Sequence, residues 1–332
     1  MGAVRGTHYV LAAIAAAALG ACPGAGVSAR AAPPYPDHII KMIVPFPPGG
    51  ADVMARLVAD RLAASLGQAV IVENRASGGG GTIGAKSVAS AEPDGYTLLF
   101  TSPGPLTTSA PVYKNLGYDP IRSFAPVALI AESPFVLVVH PSVPVRSVQE
   151  LVAFARAHPE KIGLASVGFG TFPHLFGKRL EQRTGISLLH VPYRGSAPAI
   201  TDLLAGQVQL YIDNTRNISQ HIHSQKLRAL AVTSETRVPE LPDVPTMAES
   251  GYPGFMAAYW NGVLAPAGTP AAIVERLNQT INASLATAEM RASVLRLGMT
   301  PKIATPSEFG ARIAAELVQW TAVAKAAGIS ID

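Results

Sequence analysis

The stretch IIKMIVPFPPGGADVMARLVADRLAASLG, Ile39 to Gly67, decides the reading of the fold. Ile39 to Phe46 is apolar and β-branched apart from Lys41, which predicts a buried strand. Pro47 to Gly50 breaks it, because proline lacks a ladder donor and glycine punctuates extended runs. From Ala51 the apolar residues return at helical spacing, at Val53, Leu57, Val58, Leu62 and Leu66, and Gly67 suits the helix end. A strand, a tight turn and a helix together form the first part of a parallel crossover unit.

The same alternation runs outward from this point. Ala69 to Asn74 and Tyr96 to Ser102 read as further strands, with a helix over Thr82 to Ala91 between them. Pro126 to Pro141 is one long extended run, after which the pattern restarts. Ser147 and Glu150 form a capping box ahead of a helix. Strands at Ile162 to Gly168, Leu188 to Tyr193, Gln209 to Asp213 and Leu227 to Ser234 follow, with helices at Phe172 to Gly185 and Ser196 to Gly206. A proline-punctuated loop leads to a last strand, Asn261 to Gly268. Helices over Pro270 to Leu297 and Pro306 to Ala327 close the chain. The last strand and helices have no other strands beside them in sequence, so the second unit looks inserted into the first. The expected division is 35–134 with 260–332 as one unit and 135–259 as the other.

Composition narrows the function classes. The chain has 332 residues, 48% hydrophobic and 14% charged, enough for real cores and too little charge for disorder. The formal charge is +4, and removing residues 1–31 with Arg5 and Arg30 lowers it to +2. Nucleic acid is therefore not expected as a partner, since it needs a basic face. One cysteine, Cys22, excludes a disulfide scaffold and a cysteine zinc site.

Tyr9 to Ala21 is an apolar run after Arg5 and His8, too short to span a bilayer and right for a signal peptide. Ala29 and Ala31 fit a cleavage site, which predicts a signal peptide over 1–31. Leu19 to Cys22 alternatively resembles a lipobox, which would leave a lipid anchor at Cys22, although Pro23 directly after it is unusual.

Two turns could cradle an anion. At Phe46, Pro48, Gly49, Gly50, Ala51 and Asp52, glycines expose backbone N–H groups and a helix start adds its dipole, without any lysine. An ordinary tight turn reads equally well, and Asp52 is favoured in a first helical turn by the dipole alone. Gly168, Phe169, Gly170 and Thr171 repeat this logic before a helix that starts near Pro173. Thr171 could cap that helix or bond a ligand, and His174 could be a base, a donor or a packed side chain. Gly79, Gly81 and Gly84 match a dinucleotide fingerprint, but on the second strand and with no acid after Thr101 and Ser102 to hold a ribose. No nucleophile elbow occurs, and His221 with His223 is an isolated pair without a nearby acid. No cofactor, metal or catalytic residue is expected. Arg194, beside Tyr193, could pair an anion or simply be solvated.

Several of these segments in order carry a resemblance. IIKMIVPFPPGGADVMAR, HVPYRGSAPAITDLLAGQV (His190 to Val208), LRALAVTS, LPDVPTMAESGYPGF and GVLAPAGTP together resemble the Bug-type receptors of tripartite tricarboxylate transporters, over about residues 35–330. The resemblance implies a type II periplasmic-binding-protein-like α/β fold, with two lobes of mainly parallel sheet and a ligand cleft between them. It implies an extracytoplasmic, monomeric receptor that captures a small organic carboxylate for membrane permease subunits, not an enzyme. An exported enzyme working in the same cleft is the alternative. The matching binding positions are Phe46 to Asp52, Gly168 to His174 and Asp213, and Ser102 and Tyr193 at strand ends complete the candidate set. Phe169 and Phe172 stand where the family's second loop commonly carries small polar residues, which points to an aromatic or branched acid.

Overall fold

The computed structural model describes residues 35–76 and 79–331. The expected signal peptide over 1–31, with its alternative cut at Cys22, lies outside the described residues.

Strand β1 (Ile40–Val44) buries every residue but Lys41. It pairs in parallel with β2 (Val70–Asn74) on one edge and β3 (Thr97–Thr101) on the other. Ile40, Met42 and Val44 pack with helix α1 (Gly50–Leu66), while Ile43 packs with α2 (Thr82–Ala89) on the opposite face. Two covered faces explain the unbroken apolar run. The spacing set Val53 facing the core, but Val53 is 49% exposed and Met54, Ala55, Val58, Ala59 and Leu62 form the buried stripe. Of the five spaced residues, Val58 and Leu62 are buried and Leu57 and Leu66 pack half-buried against the same core, so Val53 alone of the set faces away.

The long strand β4 (Phe124–Val139) connects the two halves of the sheet. Over Phe124 to Pro134 it pairs antiparallel with β9 (Ala258–Pro266), and β9 in turn pairs with β3. Over Phe135 to Val139 it pairs antiparallel with β7 (Leu210–Asn214), and over Val136 to Val139 with β8 (Arg228–Val232). Strand β5 (Gly163–Ser166) lies in parallel between β7 and β6 (Leu189–Pro192). The strand order is β2-β1-β3-β9-β4-β7-β5-β6. The α/β architecture is therefore present, but the halves are mixed where mainly parallel sheets are expected. A chain that leaves one half on β4 and returns on β9 must run those strands against each other.

Helices α3 (Val148–Ala157), α4 (Phe172–Thr184) and α5 (Ser196–Leu204) fall where the periodicity puts them. Ser147 caps α3 by accepting the Glu150 N–H at 3.1 Å. Helix α6 (Thr215–His223) has no counterpart in the sequence reading. Its apolar face is only Ile218 and Ile222, one turn apart and packed on the same core, a stripe too short to stand out beside Gln209 to Asp213. The expected single helix after Pro270 is split into α7 (Ala271–Ala286) and α8 (Ala288–Arg296). Thr287 takes an extended conformation between them and its hydroxyl accepts the Met290 N–H. A short strand β10 (Thr300–Pro301) pairs with β4, and α9 (Pro306–Ala326) opens on a full capping box of Thr305 and Glu308.

Candidate functional site

The strand ends and helix starts of this fold surround a cavity of about 260 Å³. Strand β3 runs out into Ser102, Pro103 and the π-helical turn Gly104–Thr108, which bring Ser102, Thr108 and Ser109 to the wall. From β5, Val167 and the start of α4 contribute Thr171, Phe172 and Pro173. Strand β7 ends there with Asp213 and Asn214, and α5 begins there with Ser196. The apolar wall is made by Phe46, Phe135, Phe172, Met256, Tyr259 and Trp320. Phe172 stacks on Phe135 at 3.8 Å between centroids and meets Trp320 edge-on at 5.4 Å.

The polar lining is neutral or acidic. No lysine or arginine lines the cavity among the described residues. Two acids do, and they differ in partners. Glu316 of α9 accepts Trp260 Nε1–H at 2.9 Å and the Thr107 hydroxyl at 3.2 Å, and pairs with Arg312 at 3.0 Å. Arg312 also reaches Glu132, which Lys302 pairs from the other side. Asp213 is 4% exposed and is held by the Asn214 N–H at 2.8 Å and Asn217 Nδ2 at 3.1 Å. Loss of solvent around it raises its pKa above the usual carboxylate range, despite those donors.

The fourteen expected site residues are distributed unevenly. Phe46, Ser102, Thr171 and Asp213 line the cavity. Thr171 does not cap α4; its hydroxyl donates to the Gly168 carbonyl at 2.6 Å and so closes the loop on itself. Gly168, Phe169 and His174 lie on an adjoining open groove that shares Gly80, Val167 and Thr171 with the cavity, with Phe169 59% exposed. Gly170 has φ +70°, and a Cβ there would run into Val112 rather than into the cavity. His174 is a packed side chain. Its Nδ1 accepts the Gly170 N–H at 3.1 Å, and its ring stacks on His190 at 3.9 Å. Burial pushes its pKa down to about 3, and that of His190 to about 4. Tyr193 donates to Asp202 at 2.8 Å and lies off the lining.

Pro48 and Gly49 precede α1 and line neither cavity, and Asp52 is ion-paired with Arg56 at 3.0 Å. Gly50 and Ala51 line a second cavity of about 170 Å³. That space shares Asn214 and Tyr259 with the first, and it holds Arg216. The Arg216 guanidinium donates to the Leu297 carbonyl at 3.1 Å and packs against Gly50. Arg194, the arginine singled out from sequence, is exposed and lines neither. Sequence reasoning also missed Thr108, Ser109, Ser196 and Asn214, along with Glu316, Gln319 and Trp320 of α9. These carry no local motif and meet only through tertiary packing.

Residues 54–329 match the family described as "Tripartite tricarboxylate transporter family receptor". The chain is 41% identical over 310 residues to the protein BugT of Bordetella pertussis, covering 92% of this chain and 95% of that protein. Its structure is similar to that of the periplasmic binding protein BugD, with 40% identity, 89% and 99% coverage and a TM-score of 0.73. It is equally similar to an R. palustris protein solved with adipate, at 39% identity, 89% and 99% coverage and a TM-score of 0.76.

Proposed function

The chain belongs to the tripartite tricarboxylate transporter receptor family, and on that premise we propose that it captures a small organic carboxylate in the 260 Å³ cavity. It acts outside the cytoplasmic membrane and hands its ligand, unchanged, to membrane permease subunits. Among the described residues no helix is long and apolar enough to cross a membrane, so the permease is a separate partner in this reading.

The observation that carries the proposal is the character of the cavity wall. An anion there is held without a formal positive charge. In the first turns, Phe172 and His174 of α4 and Ser196 and Ala197 of α5 carry N–H groups without intrahelical acceptors, Pro173 and Pro198 having none, and both helices start on the cavity. Hydroxyls of Ser102, Thr108 and Ser109 stand across from them on the β3 side. Each helix dipole contributes only about 0.3–1 kcal/mol, up to about 2 where partly buried. Direct hydrogen bonds and contact with the aromatic wall must therefore supply most of the affinity. The relative solved with adipate supports a carboxylate as the ligand class. The two halves act as lobes, 35–134 with 260–332 and 135–259, that close over the ligand by bending where β4 and β9 cross between them.

Native mass spectrometry of freshly purified protein, followed by a thermal-shift screen of carboxylates, tests this. One ligand per chain, recovered at its starting mass after long incubation, is the expected result. A ligand converted to product would instead support an enzyme working in the same cleft.

A further inference from the structure

We propose that Arg179 supplies the positive charge that the cavity lining lacks, acting on the bound carboxylate from behind the aromatic wall. The inference rests on the carboxylate-receptor reading and names a residue that sets affinity within it.

Arg179 stands on α4, two turns past Phe172. Its guanidinium carbon lies 4.9 Å from the ring centroid of Phe255 and 5.7 Å from that of Trp320. Trp320 lines the cavity, as does Met256 next to Phe255, whereas Arg179 does not. The guanidinium is therefore one ring removed from the space a ligand fills. One of its nitrogens, Nη1, is buried without a hydrogen-bond partner. Among the described residues, the charged group that acts on it is a second cation, Arg183. Burial and that neighbour both pull its pKa down, yet a guanidinium stays protonated in a protein. Aromatic faces attract such a cation, but they do not replace the hydrogen bonds that water made to Nη1. A carboxylate in the cavity offsets part of that loss, and the attraction stabilises ligand and guanidinium alike.

The other charges near the cavity are already matched or lie elsewhere. Glu316 is offset by Arg312, which also serves Glu132. Lys178, beside Arg179 on α4, is paired with Glu181 at 2.8 Å. Burial disfavours the charged form of Asp213. Arg216 is exposed, donates to the Leu297 carbonyl and belongs to the second cavity. Arg179 is thus the cation left over closest behind the wall. A carboxylate on the cavity side of Trp320 stands about 10 Å from it, a separation worth about twofold in affinity in water and about fifteenfold at the effective dielectric of a protein surface. The intervening ring keeps water and counterions out, so the expected effect is about three- to tenfold and only weakly screened by salt.

Calorimetric titration tests the proposal with 3-phenylpropanoate, 4-methylpentanoate and adipate. The primary amide of each serves as its uncharged twin, read by competition with the acid. Arg179→Gln and Arg179→Met remove the charge, and thermal unfolding checks that each variant is folded; the Gln amide can still stack on both rings. The neutral variants should bind the tightest of the acids about three- to tenfold more weakly than wild type does. Their affinity for the matching amide should stay within about twofold, because a neutral ligand feels little of a distant charge. Arg183→Gln, which removes an exposed and screened cation, should weaken the acid by less than about twofold. Unchanged acid affinity in the folded neutral variants, or acid and amide weakened alike, would overturn the inference while leaving the carboxylate receptor standing. An equal loss from Arg183→Gln would overturn it too. Failure of all three acids to bind folded wild-type protein would remove the receptor reading and the inference together.

Discussion

Acidification should loosen the loop that carries Thr171 and Phe172 into the cavity, through the stacked pair His174 and His190. His174 is 3% exposed and its Nδ1 is occupied by the Gly170 N–H, so a proton there would cost both solvation and a hydrogen bond. Its pKa falls from 6.5 to about 3 in the folded protein. The unfolded chain therefore binds more protons between those values, and stability must fall as pH falls. The loss begins near 6.5 and continues toward about 3; above 6.5 the pair contributes no pH dependence. At about pH 5, one and a half pH units below the unfolded value, His174 alone accounts for about 2 kcal/mol. His190 acts in the same direction, because its own pKa is lowered to about 4 by burial and by the nearby Lys178 ammonium.

Paired carboxylates such as Glu132 also lose stability in acid, so the wild-type slope alone is not diagnostic. The assay is urea unfolding at about pH 7.5 and about pH 5 for wild type and His174→Asn, whose amide oxygen can still accept the Gly170 N–H. The wild type should lose about 2 kcal/mol more than the variant across this interval. Equal losses in the two proteins would refute the claim that His174 is held neutral by its surroundings.

Other substitutions separate the wall from the loop. Phe172→Ala removes a ring that stacks on Phe135 and meets Trp320, and should cost about 3–5 kcal/mol of stability, read by denaturant midpoint. Gly170→Ala should destabilise by about 1–3 kcal/mol, because φ is +70° and the new Cβ meets Val112. That Cβ points toward Val112 and away from the cavity. The destabilisation should therefore appear in the unfolding curve before it appears in calorimetry. Small-angle scattering with and without saturating ligand should show contraction if the halves close, and identical curves would count against a hinge.

Much of the fold was legible because its strands are buried on both faces and its helices end on glycine or begin on good caps. β1, α1 and the Ser147 cap are read from sequence nearly to the residue, but the expected box is not closed, because the Glu150 carboxylate accepts the Arg146 N–H instead of that of Ser147. Helix α6 was not legible, because in nine residues its apolar face is only Ile218 and Ile222, too short a stripe to read as a period. That omission also hid Arg216, which α6 brings against Gly50 at the start of α1. The site was only partly legible for a related reason. Turn chemistry marks where a backbone can approach a ligand, and it found Phe46 and Thr171. It cannot foresee that His174 turns inward to hold its own loop. Nor can it find Glu316 and Trp320, which reach the cavity from the C-terminal helix through packing alone.

The central claim is that a carboxylate is held by a lining without a cation. Calorimetric titration of one confirmed acid and its primary amide, from about 20 mM to about 500 mM sodium chloride, tests it most directly. The amide should bind more weakly by at least about 1.5–3 kcal/mol, because a charge-assisted hydrogen bond is lost. The acid's affinity should change by less than about threefold across the series, since no exposed basic patch steers it. Equal affinity of acid and amide, or a steep fall with salt, would contradict the neutral cradle and move the carboxylate to Arg216.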